Sequence, residues 1–216
     1  RQAEKVLLVT ITSNRGLCGG FNANIIKQTK ILINEEYANA DISILSIGKK
    51  SSEHFDKNGF NVVAKHDSLF ASLTFDSVAK VAENIMEQFL VGSYDKVVLV
   101  YNQFKNAATQ IVLSENFLPV KANNNESNNS GDYIFEPVKQ EIVEQLIPKS
   151  LKTQLFKAVL DSHASEHGAR MTAMHKATDN AGELKKELTL TYNKARQAAI
   201  TGEILEIVGG AEALNG

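Results

Sequence analysis

The sequence is poor in the residues that staple or interrupt a chain. Of its 216 residues one is cysteine, Cys18, and three are proline. A single cysteine excludes an intramolecular disulfide and any zinc site built on several thiolates. It fits a reducing compartment, although secreted proteins without cystines also exist. Charge of either sign is not in excess: 23 Lys and Arg stand against 25 Asp and Glu, a formal net charge of −2. No overall positive field points to nucleic acid, and no nucleic-acid partner is expected. No apolar run reaches the roughly 18 residues of a membrane-spanning helix. The opening RQAEKVLLVT has no secretory pattern. It enters a strand-like run almost at once, so the expectation is that something upstream of Arg1 has been cut away.

What is present is ordinary globular material, 43% hydrophobic and 22% charged. The length suffices for one core, or one domain and an extension. Residues 5–12, KVLLVTIT, are apolar and β-branched and predict a buried strand. From Asn22 to about Asn34 the period becomes helical, with Ile25, Ile26, Leu32 and Ile33 on the packed side. ISILSIG at 42–48 and GFNVVAKH at 59–66 are further strands, the second opened by the turn Lys57-Asn58-Gly59. Val78, Val81, Ile85, Met86 and Phe89 mark a helix over 75–90 that Thr74 or Asp76 could cap. KVVLVYN at 96–102 is a strand, and 108–118 another that ends before Pro119. Strands alternating with helices predict an α/β, Rossmann-like domain with a mostly parallel sheet. KANNNESNNSGD at 121–132 reads as a polar, mobile surface loop.

The proline pattern divides the rest. Beyond Phe135-Glu136-Pro137 a short helix over 138–147 is expected to break at Pro148. After it no proline follows. About sixty residues of helix would span roughly 90 Å, too long for a globular domain of this size, so the helix should project from the body. The expected organisation is a globular foot over 1–136, then over 137–216 the short helix and a long C-terminal coiled-coil helix. Met174, Ala177, Ala181, Leu184, Leu188, Thr191, Ala195, Ala198, Gly202, Leu205 and Gly209 step by 3 and 4 throughout. That is a heptad seam. Six of these eleven are Ala or Gly, so a partner helix can approach closely but buries little apolar area per residue. No second long helix lies in these residues. Two copies pair, or the mate lies upstream of Arg1, or it belongs to another protein.

Residues 13–24, SNRGLCGGFNAN, place three glycines between strand and helix, where phosphate is often held. A P-loop needs GxxxxGK[ST], and here Gly16-Leu17-Cys18-Gly19-Gly20-Phe21-Asn22 supplies neither the lysine nor the hydroxyl. A dinucleotide fingerprint needs GxGxxG with an acid at the end of the next strand, and Asp41 precedes its strand. The simpler reading gives Gly19 and Gly20 to positive φ and close packing, with Arg15 and Cys18 free to face a partner. Cys18 has no assignable base. His163 and His167 stand at i, i+4, yet Ala164-Ser165-Glu166 between them is no HExxH. Exposed polar histidines are expected, with no metal site and no catalytic residue.

Two motifs carry a resemblance that covers nearly the whole chain. SNRGLCGGFN followed by a helix resembles the first strand–turn–helix of the gamma subunit of F-type ATP synthase. Residues 165–214, from SEHGARMTAMHKATDN through KARQAAITGE to GGAEAL, are similar to that subunit's signature helix. The resemblance implies a non-catalytic central-stalk rotor, without cofactor or metal. Its partners would be the alpha and beta subunits, the epsilon subunit and the c-ring, at the cytoplasmic face of a bacterial inner membrane. Proton flow would turn the ring and foot, and the shaft would shift the catalytic sites of the beta subunits among binding states. The family's N-terminal helix would be the coiled-coil mate. It is absent from these residues, so a truncated or processed fragment is expected. Arg170 in GARM, Arg196 and Gln197 in KARQ, and Thr201 and Glu203 in ITGE match positions that contact alpha and beta segments. Between the last two, Gly202 replaces a longer polar residue of the family. Glu136 in YIFEP matches a position facing the c subunits. Arg15 and Cys18 would lie beside the acidic lever of a beta subunit. An α/β nucleotide-binding enzyme with a helical arm and a stand-alone coiled-coil adaptor are the rival readings.

Overall fold

The computed structural model describes residues 4–120 and 139–215. Glu136 and the asparagine-rich stretch 121–132 lie outside them. The chain divides into two compact units, Arg1–Thr172 and Ala173–Gly216.

The first unit is built on strand β1 (Lys5–Ile11), helix α1 (Phe21–Ile31), strand β2 (Asp41–Ile47), helix α2 (Lys49–Lys57), strand β3 (Val62–Lys65), helix α3 (Phe75–Leu90), and strands β4 (Lys96–Asn106) and β5 (Thr109–Leu118). The sheet order is β3-β2-β1-β4-β5. β1 pairs in parallel with both β2 and β4, β3 joins β2 in parallel, and only β5 is antiparallel. Alternation along the central strands assigns the faces. Leu7, Val9 and Ile11 of β1 with Val97, Leu99 and Tyr101 of β4 pack against Val78, Val81, Ala82 and Ile85 of α3. Val6 and Leu8 with Val98 and Val100 point the other way, to Ile25 of α1, and to Leu32 and Tyr37 just after it. Tyr101 donates to the Glu115 carboxylate of β5 at 2.8 Å, and burial first, then this bond, holds its phenol protonated well above the usual range.

Thr74 caps α3: its hydroxyl accepts from the Ser77 N–H, and the Ser77 hydroxyl reciprocates to the Thr74 N–H. Such a capping box satisfies two otherwise orphaned donors. α1 is followed by a π-helical turn over Leu32–Glu36. α2 was not expected from the sequence. It buries Phe55 as its one large apolar residue, so it offers no hydrophobic period to detect. Gly48, just before it, has φ +101, and a Cβ there would sit 2.0 Å from the Thr12 carbonyl oxygen. Only glycine lets β1 and the start of α2 approach so closely.

The last helix, α4, runs from Lys139 to Asn215 with Pro148 inside it. The expected break at Pro148 does not occur. Proline removes one i→i−4 hydrogen bond and crowds a carbonyl, at about 3 kcal/mol in a helix interior. The packing that follows opposes this. Leu151, Leu155, Ala158 and Val159 are all buried in the core shared with α3, and burying one leucine stabilises by about 1.5–3 kcal/mol.

The second unit is the continuation of α4. Its seam side chains Met174, Leu184, Leu188 and Leu205 are exposed. So are Tyr192, Ile200, Ile204, Ile207 and Val208. No helix among the described residues is long and apolar enough to cross a membrane.

Candidate functional site

The order β3-β2-β1-β4 reverses direction between β1 and β4. In open α/β sheets the crevice at the carboxyl ends of two such strands is where ligands bind. The glycine turn leaves β1 at this point, so its position alone would suit a nucleotide. The chain's own groups meet at this point. Asn102 of β4 donates to the Phe21 carbonyl at the start of α1. Ser165 of α4 donates to the Asn102 carbonyl at 3.1 Å. Three residues on, a Cβ on Gly168 would lie 3.1 Å from the Ala107 Cα, so helix and β4–β5 hairpin touch through backbone. Thr172 then donates to the Ala107 carbonyl at 3.1 Å.

The turn itself is tied from within. The Ser13 N–H donates to Asn22 Oδ1 at 2.9 Å, and Asn22 Nδ2 donates to Ser13 Oγ at 2.7 Å and to Cys18 Sγ at 3.2 Å. Ser13 Oγ donates to the Arg15 carbonyl at 2.5 Å. Cys18 is therefore an inner acceptor and is 2% exposed. The thiol that was expected to face a partner is thus turned inward, and the turn closes over it. Gly19 does take a positive φ of 57°, but Gly20 does not, serving as the α1 N-cap at φ −79°. Leu17, unremarked in the sequence, carries φ 63° and is 76% exposed. A bulky side chain in this region is strained. Arg15 and Gly16 beside it are also exposed.

Three elements hold the turn from outside. Asn14 Nδ2 donates to the Asp67 carbonyl at 2.7 Å, and its Oδ1 accepts the Lys49 N–H at 2.9 Å. The Lys50 N–H reaches the Ser13 carbonyl at 3.1 Å, and the Ser51 N–H reaches Thr12 Oγ1 at 3.0 Å. Arg170 pairs with Glu166 one helical turn earlier at 2.7 Å, and its Nη2 lies 3.4 Å from the Arg15 and Gly16 carbonyls. Arg170 thus engages its own chain.

His163 is not the exposed polar residue expected. It is half-buried, meets the Phe70 ring edge-on at 5.7 Å and stacks on His167 at 4.6 Å. Burial, and then His167, push its pKa down against the opposing pull of Glu166. Among the described residues no group of three or more His, Cys, Asp or Glu is placed to hold a metal. In the second unit Arg196, Gln197, Thr201 and Glu203 are all exposed on α4. The structure gathers Arg15, Cys18 and Arg170 at one turn. The signal for Lys49 and Lys50 beside it, a Gly-Lys-Lys-Ser-Ser step after β2, was in the sequence but lacked a period.

A mostly parallel five-stranded sheet whose last helix packs on β4 at the switch point and continues as an exposed heptad seam defines an α/β domain with a long C-terminal helix. Comparison with known proteins narrows this. The chain matches the ATP synthase family model over residues 1–214. It is 62% identical over 217 residues to the ATP synthase gamma chain of Flavobacterium johnsoniae, an alignment that covers all of this chain and 75% of that one. Among solved structures it resembles a chain of the Euglena gracilis mitochondrial ATP synthase, OSCP/F1/c-ring, rotational state 3. The TM-score is 0.73 at 25% identity, covering 99% of this chain and 74% of that one. It also resembles a chain of the Tetrahymena thermophila mitochondrial ATP synthase central stalk and c-ring, with TM-score 0.64 at 26% identity, covering 82% and 78%. The chain belongs to the ATP synthase gamma chain family.

Proposed function

We propose that this chain is the central-stalk rotor subunit of an F-type ATP synthase, a membrane-peripheral component that couples ion flow through a c-ring to ATP synthesis or hydrolysis in the beta subunits. One observation carries the reading: in a member of this family, α4 leaves a packed domain and continues with every large seam side chain exposed. An exposed heptad seam is half an interface. Its mate would be the family's N-terminal helix. The α/β domain would be the foot, with the epsilon subunit and the c-ring as partners, and Glu136 the residue facing the c subunits.

The chain does no bond chemistry of its own in this reading. Its work is differential contact. An asymmetric shaft meets each beta subunit differently at each angle, and only such a difference shifts a site among binding states. Arg15 would meet the acidic lever of a beta subunit. Arg196 and Gln197, with Thr201 and Glu203 a turn or more further on, would meet the alpha and beta ends. Arginine suits a moving contact with carboxylates because its planar fork grips two oxygens and stays charged. Arg170 contributes from behind the turn by holding the carbonyls of Arg15 and Gly16.

The test is reassembly. The full-length subunit is mixed with alpha and beta subunits and ATP hydrolysis is followed. Hydrolysis should rise above the level without it, and Arg196→Ala should lower that rise several-fold while leaving the α/β domain folded by circular dichroism. Absence of any rise, with all components folded, would refute the rotor reading. ATP or NAD binding at micromolar affinity would favour an enzyme instead.

A further inference from the structure

The carboxyl edge of the sheet carries the turn Ser13–Gly20 after β1 and, beside it, the β2–α2 step Gly48-Lys49-Lys50-Ser51. Three backbone N–H groups of the step reach the turn and the residue before it: Lys49 N–H donates to the Asn14 side-chain Oδ1, Lys50 N–H to the Ser13 carbonyl, and Ser51 N–H to the Thr12 side-chain Oγ1. Gly48 brings them so close that no Cβ fits. They form one rigid rim rather than two independent loops.

The rim carries an uneven charge. Arg15 is exposed, and the Lys49 and Lys50 side chains are 58% and 37% exposed. One carboxylate, Glu53, lies 3.7 Å from the first lysine and 3.0 Å from the second. Arg170 and Glu166 behind the turn neutralise each other. Three cations to one carboxylate remain on the two loops. Ahead of them stands Leu17, an apolar side chain held in solvent at positive φ. Among the described residues the Leu17 side chain gains no burial to offset that strain, and strained residues persist where a function holds them.

We propose that the β2–α2 step is a second half of the contact turn, so that Arg15, Lys49 and Lys50 together receive an acidic segment of a partner protein while Leu17 inserts into an apolar gap of the same segment. This rests on the rotor reading and extends it. A small anion is the poorer fit. The first N–H groups of α2, which would bind one, are already given to Asn14, Ser13 and Thr12, and an apolar knob adds nothing for phosphate. Charge at the rim guides approach and register, and the knob supplies contact that salt does not screen.

The test uses the full-length subunit in complex with alpha and beta subunits, with stimulated ATP hydrolysis as the readout, at about 10 mM and about 0.15 M salt. Screening lengths there are about 30 Å and about 8 Å. Lys49→Glu with Lys50→Glu should fold, because acids suit a helix N-terminus. It should lower stimulation at least about threefold at low salt, and the loss should shrink at the higher salt. Leu17→Asn keeps a residue that accepts positive φ and should lower stimulation by a similar factor at both salts. Lys27→Glu with Lys30→Glu, on α1, is the control. If the rim pair behaves as the control does while the unaltered subunit stimulates hydrolysis, or if its loss ignores salt, the proposal is overturned and the rotor reading stands. If the unaltered subunit gives no stimulation, both fall. Inhibition by added phosphate that is seen with the unaltered subunit and the α1 control but lost in the rim pair would point to an anion site and overturn the protein contact.

Discussion

Asn22 shows how one side chain can shape a whole turn. Its amide satisfies the Ser13 N–H, the Ser13 hydroxyl and the Cys18 thiol. Asn22→Ala leaves buried groups unpaired, at about 1–3 kcal/mol, and should open the turn. Maleimide labelling of Cys18, slow in the native chain, should then quicken by a factor of about ten or more; unchanged labelling would show that the turn is held without Asn22. His163 gives a residue-scale pH effect with a definite sign. Its folded pKa lies below the ordinary 6.5, chiefly through burial. The unfolded chain therefore binds the additional proton, and stability falls as pH drops below about 6.5 toward the depressed folded value. His54 and His66 shift the same way, each chiefly by burial. Urea midpoints between pH 7.5 and 5.5 should fall toward acid, and His163→Phe, which keeps a ring against Phe70, should flatten part of that slope. A parallel slope in the variant would remove His163 as a contributor. At this scale the sequence was a partial guide. Arg15 was legible as an exposed charge in a glycine turn, whereas the burial of Cys18 depends on Asn22 folding back over it from α1.

Two leucines on α4 separate the element's two environments. Leu155 is fully buried and Leu188 is 59% exposed. Leu155→Ala should destabilise the α/β domain by about 2–5 kcal/mol in chemical denaturation, through lost transfer energy and the cavity left behind. Leu188→Ala should change the same measurement by no more than about 0.5 kcal/mol, yet weaken pairing with the family's N-terminal helix supplied in trans. Equal effects would mean that the seam already packs within this chain. Long periodic elements were the readable ones. α3 begins and ends where Val78, Val81 and Ile85 place it, and Thr74 caps it. α2 was hidden because a helix with Phe55 as its one large buried apolar residue has no stripe. Pro148 misled because proline's local cost is decisive only where tertiary burial is weak, and Leu151 and Leu155 lie within two turns of it.

On the scale of the whole molecule the two units differ in what stabilises them. β1 and β4 are buried on both faces, whereas the helix from Met174 onward has no described tertiary cover. An unpacked helix opens at little cost. Amide exchange over 176–214 should thus run at least about a hundredfold faster than in β1 and β4, and slow when the N-terminal helix is added. Uniform protection across both would contradict this division. The sequence by itself determined the α/β alternation, the heptad seam and the family, because these depend on periodicity and on motifs contiguous in the chain. Only the tertiary structure decided that Ser165 and Gly168 pack on β4 at the switch point, that Arg170 braces the glycine turn, and that Lys49 and Lys50 lie beside Arg15. Each of those joins residues far apart in sequence, and such contacts are set by how β1, β2 and β4 pack together, which no local pattern of residues records.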